Sequence, residues 1–143
     1  MEEDGALPSS SITSRKPFVY QPLDDTPNSF RLLEILPEKA DGRIQLRIRH
    51  DKMPTTYKCL SYMWGDATES HEVLMNGSTS PIRKNLHDFL EMARVRFPNE
   101  KLWIDALCIN QSDNAERGHQ IQRMGDIYRG ASEVLAWLGN TYA

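Results

Sequence analysis

Between residues 43 and 50 the chain reads RIQLRIRH, in which Ile44, Leu46 and Ile48 alternate with Gln45, Arg47 and Arg49. That is the period of a strand with one buried face. The apolar run NSFRLLEIL over 28–36 precedes it, and the turn-rich PEKADG over 37–42 lies between, so the segment predicts a β-hairpin. YKCLSYMWG over 57–65 predicts a strand that stops at a glycine, and Asn76-Gly77 within HEVLMNGSTSPIR marks a tight type I′ hairpin. From Asn85, a candidate N-cap, Leu86, Phe89, Leu90, Ala93 and Phe97 recur at helical spacing until Pro98. KLWIDALCI over 101–109 is mostly apolar, as expected of a strand covered on both faces. Asp113 and Glu116 then have the spacing of a capping box, and Ile121, Met124, Ile127, Tyr128 and Ala131 line one stripe of a following helix. Arg129 suits that helix's C-terminal dipole, and SEVLAWLG over 132–139 closes the series as a strand.

The second half therefore reads strand, helix, strand, helix, strand. Such alternation favours parallel pairing through right-handed crossovers, because each helix packs its apolar stripe back on the sheet. The expected fold is α/β, a small parallel three-stranded βαβαβ core of 57–63, 101–107 and 132–138 with an N-terminal antiparallel hairpin extension. In open α/β sheets ligands bind beyond the carboxyl ends of the strands. Here those ends are WGDATES, DALCINQSDNAE and GNTYA, all polar.

Composition narrows the picture. At 143 residues the chain has the size of one domain, and a net charge of −3 gives no basic field for nucleic acid. Residues 1–16, rich in Ser and acidic groups, are expected to form a disordered arm, with the domain over 17–143. The acidic start lacks the features of a signal peptide, and no apolar run approaches the roughly 20 residues that span a bilayer. No membrane partner is expected. Cys59 and Cys108 sit in apolar runs without metal spacing and read as buried thiols of a reducing, cytoplasmic compartment. His50, His71, His87 and His119 are scattered, so no metal site is expected.

The candidate chemistry lies in the polar strand ends. Glu116 is either the closing member of the capping box or a carboxylate able to support an oxocarbenium-like centre. Asp105 sits inside an apolar run and must have a partner, whether backbone N–H groups or an arginine, unless it reaches the crevice. Asn110 and Gln111 either bridge loop backbone or touch a ligand. Trp64 is either a core aromatic or a stacking platform, and Gly65 either permits a turn or lets backbone approach a ligand.

YKCLSYMWGD over 57–66 and LWIDALCINQSDNAERGHQIQRMGDIYRGASEVLAWLG over 102–139 resemble the hallmark strings of the HET domain, the fungal heterokaryon incompatibility domain. Weaker likeness runs through FVYQPL, FRLLEIL and MNGSTSPIRKNLHDFL, so the resemblance covers 17–139. Cys59, Met63 and Gly118 are mild departures from the pattern. The resemblance implies an effector of non-self recognition that triggers incompatibility-linked cell death, whose partners are other incompatibility proteins or further copies of itself. HET domains are in turn similar to TIR domains, whose flavodoxin-like parallel layout matches the expected core and some of which cleave NAD⁺ with a catalytic Glu. By that analogy Glu116 and Asp105 are the candidate acids, and Trp64, Gly65, Asn110 and Gln111 would hold the nucleotide. No resident cofactor is implied, and NAD⁺ enters only as a substrate. HET domains commonly continue beyond the WLG string, so the resemblance also implies a domain truncated at its C-terminus, with its last strand exposed.

Overall fold

The computed structural model describes residues 15–24 and 28–139. The expected arm over 1–16 lies outside the described residues except for its last two. Arg15 pairs with Asp41 at 2.8 Å, and the Lys16 carbonyl accepts from Thr79 N at 2.9 Å.

The fold is α/β, and the described residues form one mixed sheet of seven strands and four helices. In chain order the elements are β1 (Ser29–Ile35), β2 (Gln45–Lys52), β3 (Lys58–Tyr62), β4 (Ser70–Met75), β5 (Ser78–Arg83), α1 (Lys84–Arg96), β6 (Leu102–Trp103), α2 (Asp105–Cys108), α3 (Asn114–Gln122), α4 (Met124–Gly130) and β7 (Glu133–Trp137). The spatial order is β5-β4-β2-β1-β6-β3-β7.

β1 and β2 form the hairpin that the alternation predicts, in antiparallel register from Ser29↔Lys52 to Ile35↔Leu46. They are no appendage, however. β1 lies at the centre, between β2 and the antiparallel β6, because its own residues are buried on both faces. Asn76 and Gly77 take φ of 52° and 85°, the positive pair that a type I′ turn needs, and the β4–β5 hairpin they close extends the same sheet. β3 pairs in parallel with β6 and β7, but these strands are one flank of a mixed sheet rather than a free-standing βαβαβ core.

The run over 101–109 departs from the expected strand after two residues. Beyond Trp103 the Ile104 carbonyl accepts from Leu107 N and Cys108 N at 3.0 and 2.7 Å, winding the chain into the single turn of α2. An apolar run buried all round carries no period to distinguish strand from helix. Asp105 consequently opens α2 instead of lying within a strand. The expected continuous helix after Asp113 is broken at Arg123, where Gln120 Nε2 and Arg123 NH1 both donate to the Ser29 carbonyl, at 3.3 and 2.5 Å. The break rotates the stripe, so that Ile127 and Gln120 are buried while Ile121 is 49% exposed. Asn85 is not an N-cap either. Arg83 holds that position, and Asn85 Nδ2 instead reaches back to the Met63 carbonyl at 3.1 Å.

Alternating side chains place α1 and α4 on opposite faces. α1 packs Phe89 edge-on to Trp137, the register partner of Tyr62. α4 covers the face of Cys59 and Trp103, with the Ile127 carbonyl 3.7 Å from Cys59 Sγ and Tyr128 edge-on to Trp103. Both cysteines are free and buried, and burial pushes each thiol up to about 12.

The segment from Asn110 through α3 is fastened to β1 by a buried ion pair. Arg31 NH1 and NH2 donate to the two Glu116 carboxylate oxygens at 2.5 and 2.9 Å, and Asn110 N–H donates to Oε2 at 2.7 Å. The second hydrogens of the same two nitrogens reach the carbonyls of Cys108 and Gln21, at 3.2 and 2.8 Å. Removing one partner of such a pair leaves a buried charge uncompensated. Glu116→Gln and Arg31→Met are each expected to cost about 3 to 5 kcal/mol in chemical denaturation. The double variant Arg31→Met/Glu116→Gln is expected to cost less than the sum of the two single variants, and strict additivity would refute this reading.

On the α1 face His71 and His87 stack with ring centroids 4.2 Å apart. Burial, and then the neighbouring His71, hold His87 below its ordinary value of 6.5, partly offset by Glu91 and Asp88. The unfolded chain thus takes up this proton first as pH falls, so the stability contribution is intact above 6.5 and is lost below it. Melting temperatures between pH 8 and pH 5 are expected to fall less in His87→Gln than in the parent chain.

Candidate functional site

β3 and β6 run side by side and end at the same edge of the sheet, which brings Trp64 and Asp105 together although they are 41 residues apart. Trp64 Nε1 donates to Asp105 Oδ1 at 3.3 Å. The Arg83 guanidinium lies 5.4 Å from the Trp64 ring centroid and NH1 donates to the Gly65 carbonyl at 2.8 Å, so cation–π attraction and a hydrogen bond fix the ring together. Gly65 has φ +79°, and a Cβ there would stand 2.7 Å from Asn85 Nδ2. The turn and the close approach both require glycine.

Asp105 sits at the first position of α2. Burial raises its carboxyl above the ordinary 3.8, and the Trp64 bond and backbone N–H groups only partly oppose that. Gln111 Nε2 donates to the Asp105 carbonyl at 2.9 Å, folding the loop after α2 back on its start. Tyr62, just before the strand end, is raised by burial and by the charge of Asp105.

Two hollows flank this group. One, of about 430 Å³, is lined by Trp64, Asp105, Ile109, Gln111, Arg117, Ile121 and Met124. The other, of about 130 Å³, is lined by Tyr62, Trp64, Arg83, Leu86, Ala106, Leu107 and Gln111, together with Pro81 and Ile82. Trp64 and Gln111 form the partition between them. The arrangement offers a protonatable carboxyl, a guanidinium from Arg117 and apolar walls from Ile121 and Met124, suited to a ligand or partner segment that carries both polar and apolar groups.

Of the six candidate residues, Trp64, Asp105 and Gln111 meet here and Gly65 supports the turn beside them. Glu116 and Asn110 do not line either hollow. Asp113 Oδ1 accepts from Glu116 N at 3.1 Å, so the N-cap half of the capping box forms, but the Glu116 carboxylate turns to Arg31. Asn110 Oδ1 accepts from Ser112 N at 3.1 Å, closing an Asx turn. β7 ends at the same edge as β3 but lends no residue to either hollow, and 140–143 of the third expected tip lie outside the described residues. Sequence reasoning missed Arg31, Arg83 and Arg117. For Arg31 a signal existed: an arginine inside SFRLLEI needs a buried anion as much as Asp105 needs a partner. Among the described residues no group of three His, Cys, Asp or Glu is placed to hold a metal ion.

Comparison with known proteins completes the site. The family model for the heterokaryon incompatibility protein (HET) matches residues 57–143, which include Trp64, Gly65, Asp105, Gln111 and Glu116 but exclude Arg31. Heterokaryon incompatibility protein 6, OR allele, of Neurospora crassa is 37% identical over an alignment of 99 residues that covers 60% of this chain and 15% of that protein. The chain thus matches a small part of a much longer relative. No solved structure matches the chain. The family match spans more than half of the sequence and contains the whole Trp64–Asp105–Gln111 group, and the chain belongs to the heterokaryon incompatibility (HET) family.

Proposed function

We propose that this HET chain acts in fungal non-self recognition as an effector of incompatibility-linked cell death, and that the cleft around Trp64, Asp105 and Gln111 is its working surface. The observation that carries this reading is the convergence of both family strings on one cleft, where Asp105 is kept partly dry at a stability cost. Buried carboxyls with raised pKa concentrate at functional sites, since folding alone gains nothing from them. Two free, buried thiols fit a reducing compartment, and the cytoplasm is the location proposed. No helix among the described residues is long and apolar enough to cross a membrane. Other incompatibility proteins or further copies of the chain are the proposed partners.

The TIR analogy makes NAD⁺ cleavage a rival chemistry for the same cleft. Both oxygens of Glu116 are engaged by Arg31 and Asn110, so that reaction would depend on Asp105.

Inducible expression in a fungal host, scored by loss of viability, tests the proposal. Trp64→Ala and Asp105→Asn are expected to lower killing at least about tenfold, with expression unchanged. Killing at the parental level in both variants would remove the cleft from the mechanism. Nicotinamide release by the purified chain, abolished in Asp105→Asn, would identify the rival chemistry.

The same variant reports on the fold. A raised carboxyl contributes fully to stability below its ordinary 3.8, and that contribution is lost as pH rises through the higher folded value. Asp105→Asn keeps an acceptor for Trp64 and is expected to melt at a higher temperature than the parent at pH 7, with the gain shrinking toward pH 4.

A further inference from the structure

β2 outruns its neighbour. It pairs with β4 only at Gln45↔Leu74 and Leu46↔Met75, after which the chain turns away at Asn76. The two ladders fix the direction of each β2 backbone group. The Gln45 carbonyl accepts from Leu36 N on the β1 side, whereas the Ile44 and Leu46 carbonyls accept from Leu74 N and Asn76 N on the β4 side, all at 2.9 Å. Directions alternate along a strand, so Ile48 and His50 also present N–H and C=O toward β4. Asn76 answers Ile48 with its side chain, Oδ1 accepting from Ile48 N at 2.9 Å and Nδ2 donating to Ile48 O at 3.0 Å. No described residue answers the His50 backbone pair in the same way.

The His50 pair faces a hollow of about 390 Å³ that lies outside the Trp64 cleft. Its far wall is the segment from Lys16 to Gln21, which is tied down at both ends. Phe18 N donates to Thr79 O at 2.8 Å, Tyr20 Oη donates to the Leu107 carbonyl at 2.7 Å, and the Gln21 carbonyl takes the His50 ring and Arg31. Phe18, Val19 and Ile48 supply apolar wall, Val19 being 73% exposed. Among the described residues no carboxylate lines the hollow, although the chain carries a net charge of −3. Lys16 has no ion pair among the described residues, whereas the guanidinium groups of Arg31 and Arg49 are engaged by Glu116 and Glu34.

We propose that this hollow receives an extended peptide segment of a partner protein, which adds to β2 as a short parallel or antiparallel strand on His50. A donor and an acceptor spaced as in a strand, bare and side by side, are matched by another backbone, the mode known as β-strand addition. The charge of Lys16, with no acid opposite it, selects an acidic side chain, and Phe18 and Val19 select an apolar one beside it.

Titration of the ¹⁵N-labelled chain with the blocked peptide acetyl-Val-Glu-Val-Glu-Val-amide, followed by amide shifts and hydrogen exchange, tests the site. The His50 amide is expected to shift and to exchange more slowly. The corresponding Lys peptide, and the Glu peptide added to Lys16→Glu protein, are expected to bind at least about tenfold more weakly. An analogue N-methylated at the central Val is expected to lose the His50 response. A His50 amide unmoved at millimolar peptide, or moved equally by the N-methylated analogue, would overturn the proposal. So would a His50 shift that follows protein concentration without peptide, since a second copy would then be the occupant.

Discussion

A single guanidinium organises the middle of this fold. Arg31 is 2% exposed in the central strand, and it gathers the Glu116 carboxylate, the Cys108 carbonyl and the Gln21 carbonyl around one planar fork. Desolvating two charges is costly, and only a full set of hydrogen bonds offsets that cost. Any slip of α3 along β1, or of the 16–21 segment over β2, would leave part of this set unmet, so the pair acts more as a register lock than as a source of net stability. Glu116 in turn holds Asn110 N–H, which fixes the loop from which Gln111 reaches Asp105. The geometry of the candidate cleft thus depends on a strand that contributes no side chain to it.

The two acids of the family string consequently have different physical roles. Glu116 is met by a cation and an amide, which hold its two oxygens in place. Asp105 has an indole N–H and the start of a one-turn helix, and burial prevails over both. A ligand or partner that alters those surroundings acts on the same balance of burial and hydrogen bonding. Arg117, next in sequence to Glu116, points to the cleft instead of the core, so adjacent residues of α3 serve stability and the site separately.

What was legible in the sequence follows the wetness of each element. β2 announced itself because Arg47 and Arg49 are in water while Leu46 and Ile48 are not, and the Asn76-Gly77 turn because its chemistry is local. The segment around Trp103 was misread because it is dry on every side, which erases the period. The helix break at Arg123 is a tertiary effect, set by the Ser29 carbonyl far away in the chain. In the site, Trp64, Asp105 and Gln111 could be named from strand ends and family strings. The destination of Glu116 could not be, because the run SFRLLEI shows that Arg31 needs an anion but nothing local says which carboxylate supplies it.

The central position of β1 also bears on how the chain is made. β1 joins the flank β5-β4-β2 to the flank β6-β3-β7, and its ion-pair partner lies 85 residues downstream. During synthesis at about 5 to 20 residues per second, Arg31 emerges roughly 4 to 17 seconds before Glu116 exists. Through that interval the nascent chain carries an apolar strand with an unmatched cation at its heart. Completion of the sheet is therefore a late event in folding, because its central strand must wait for contacts distant in sequence.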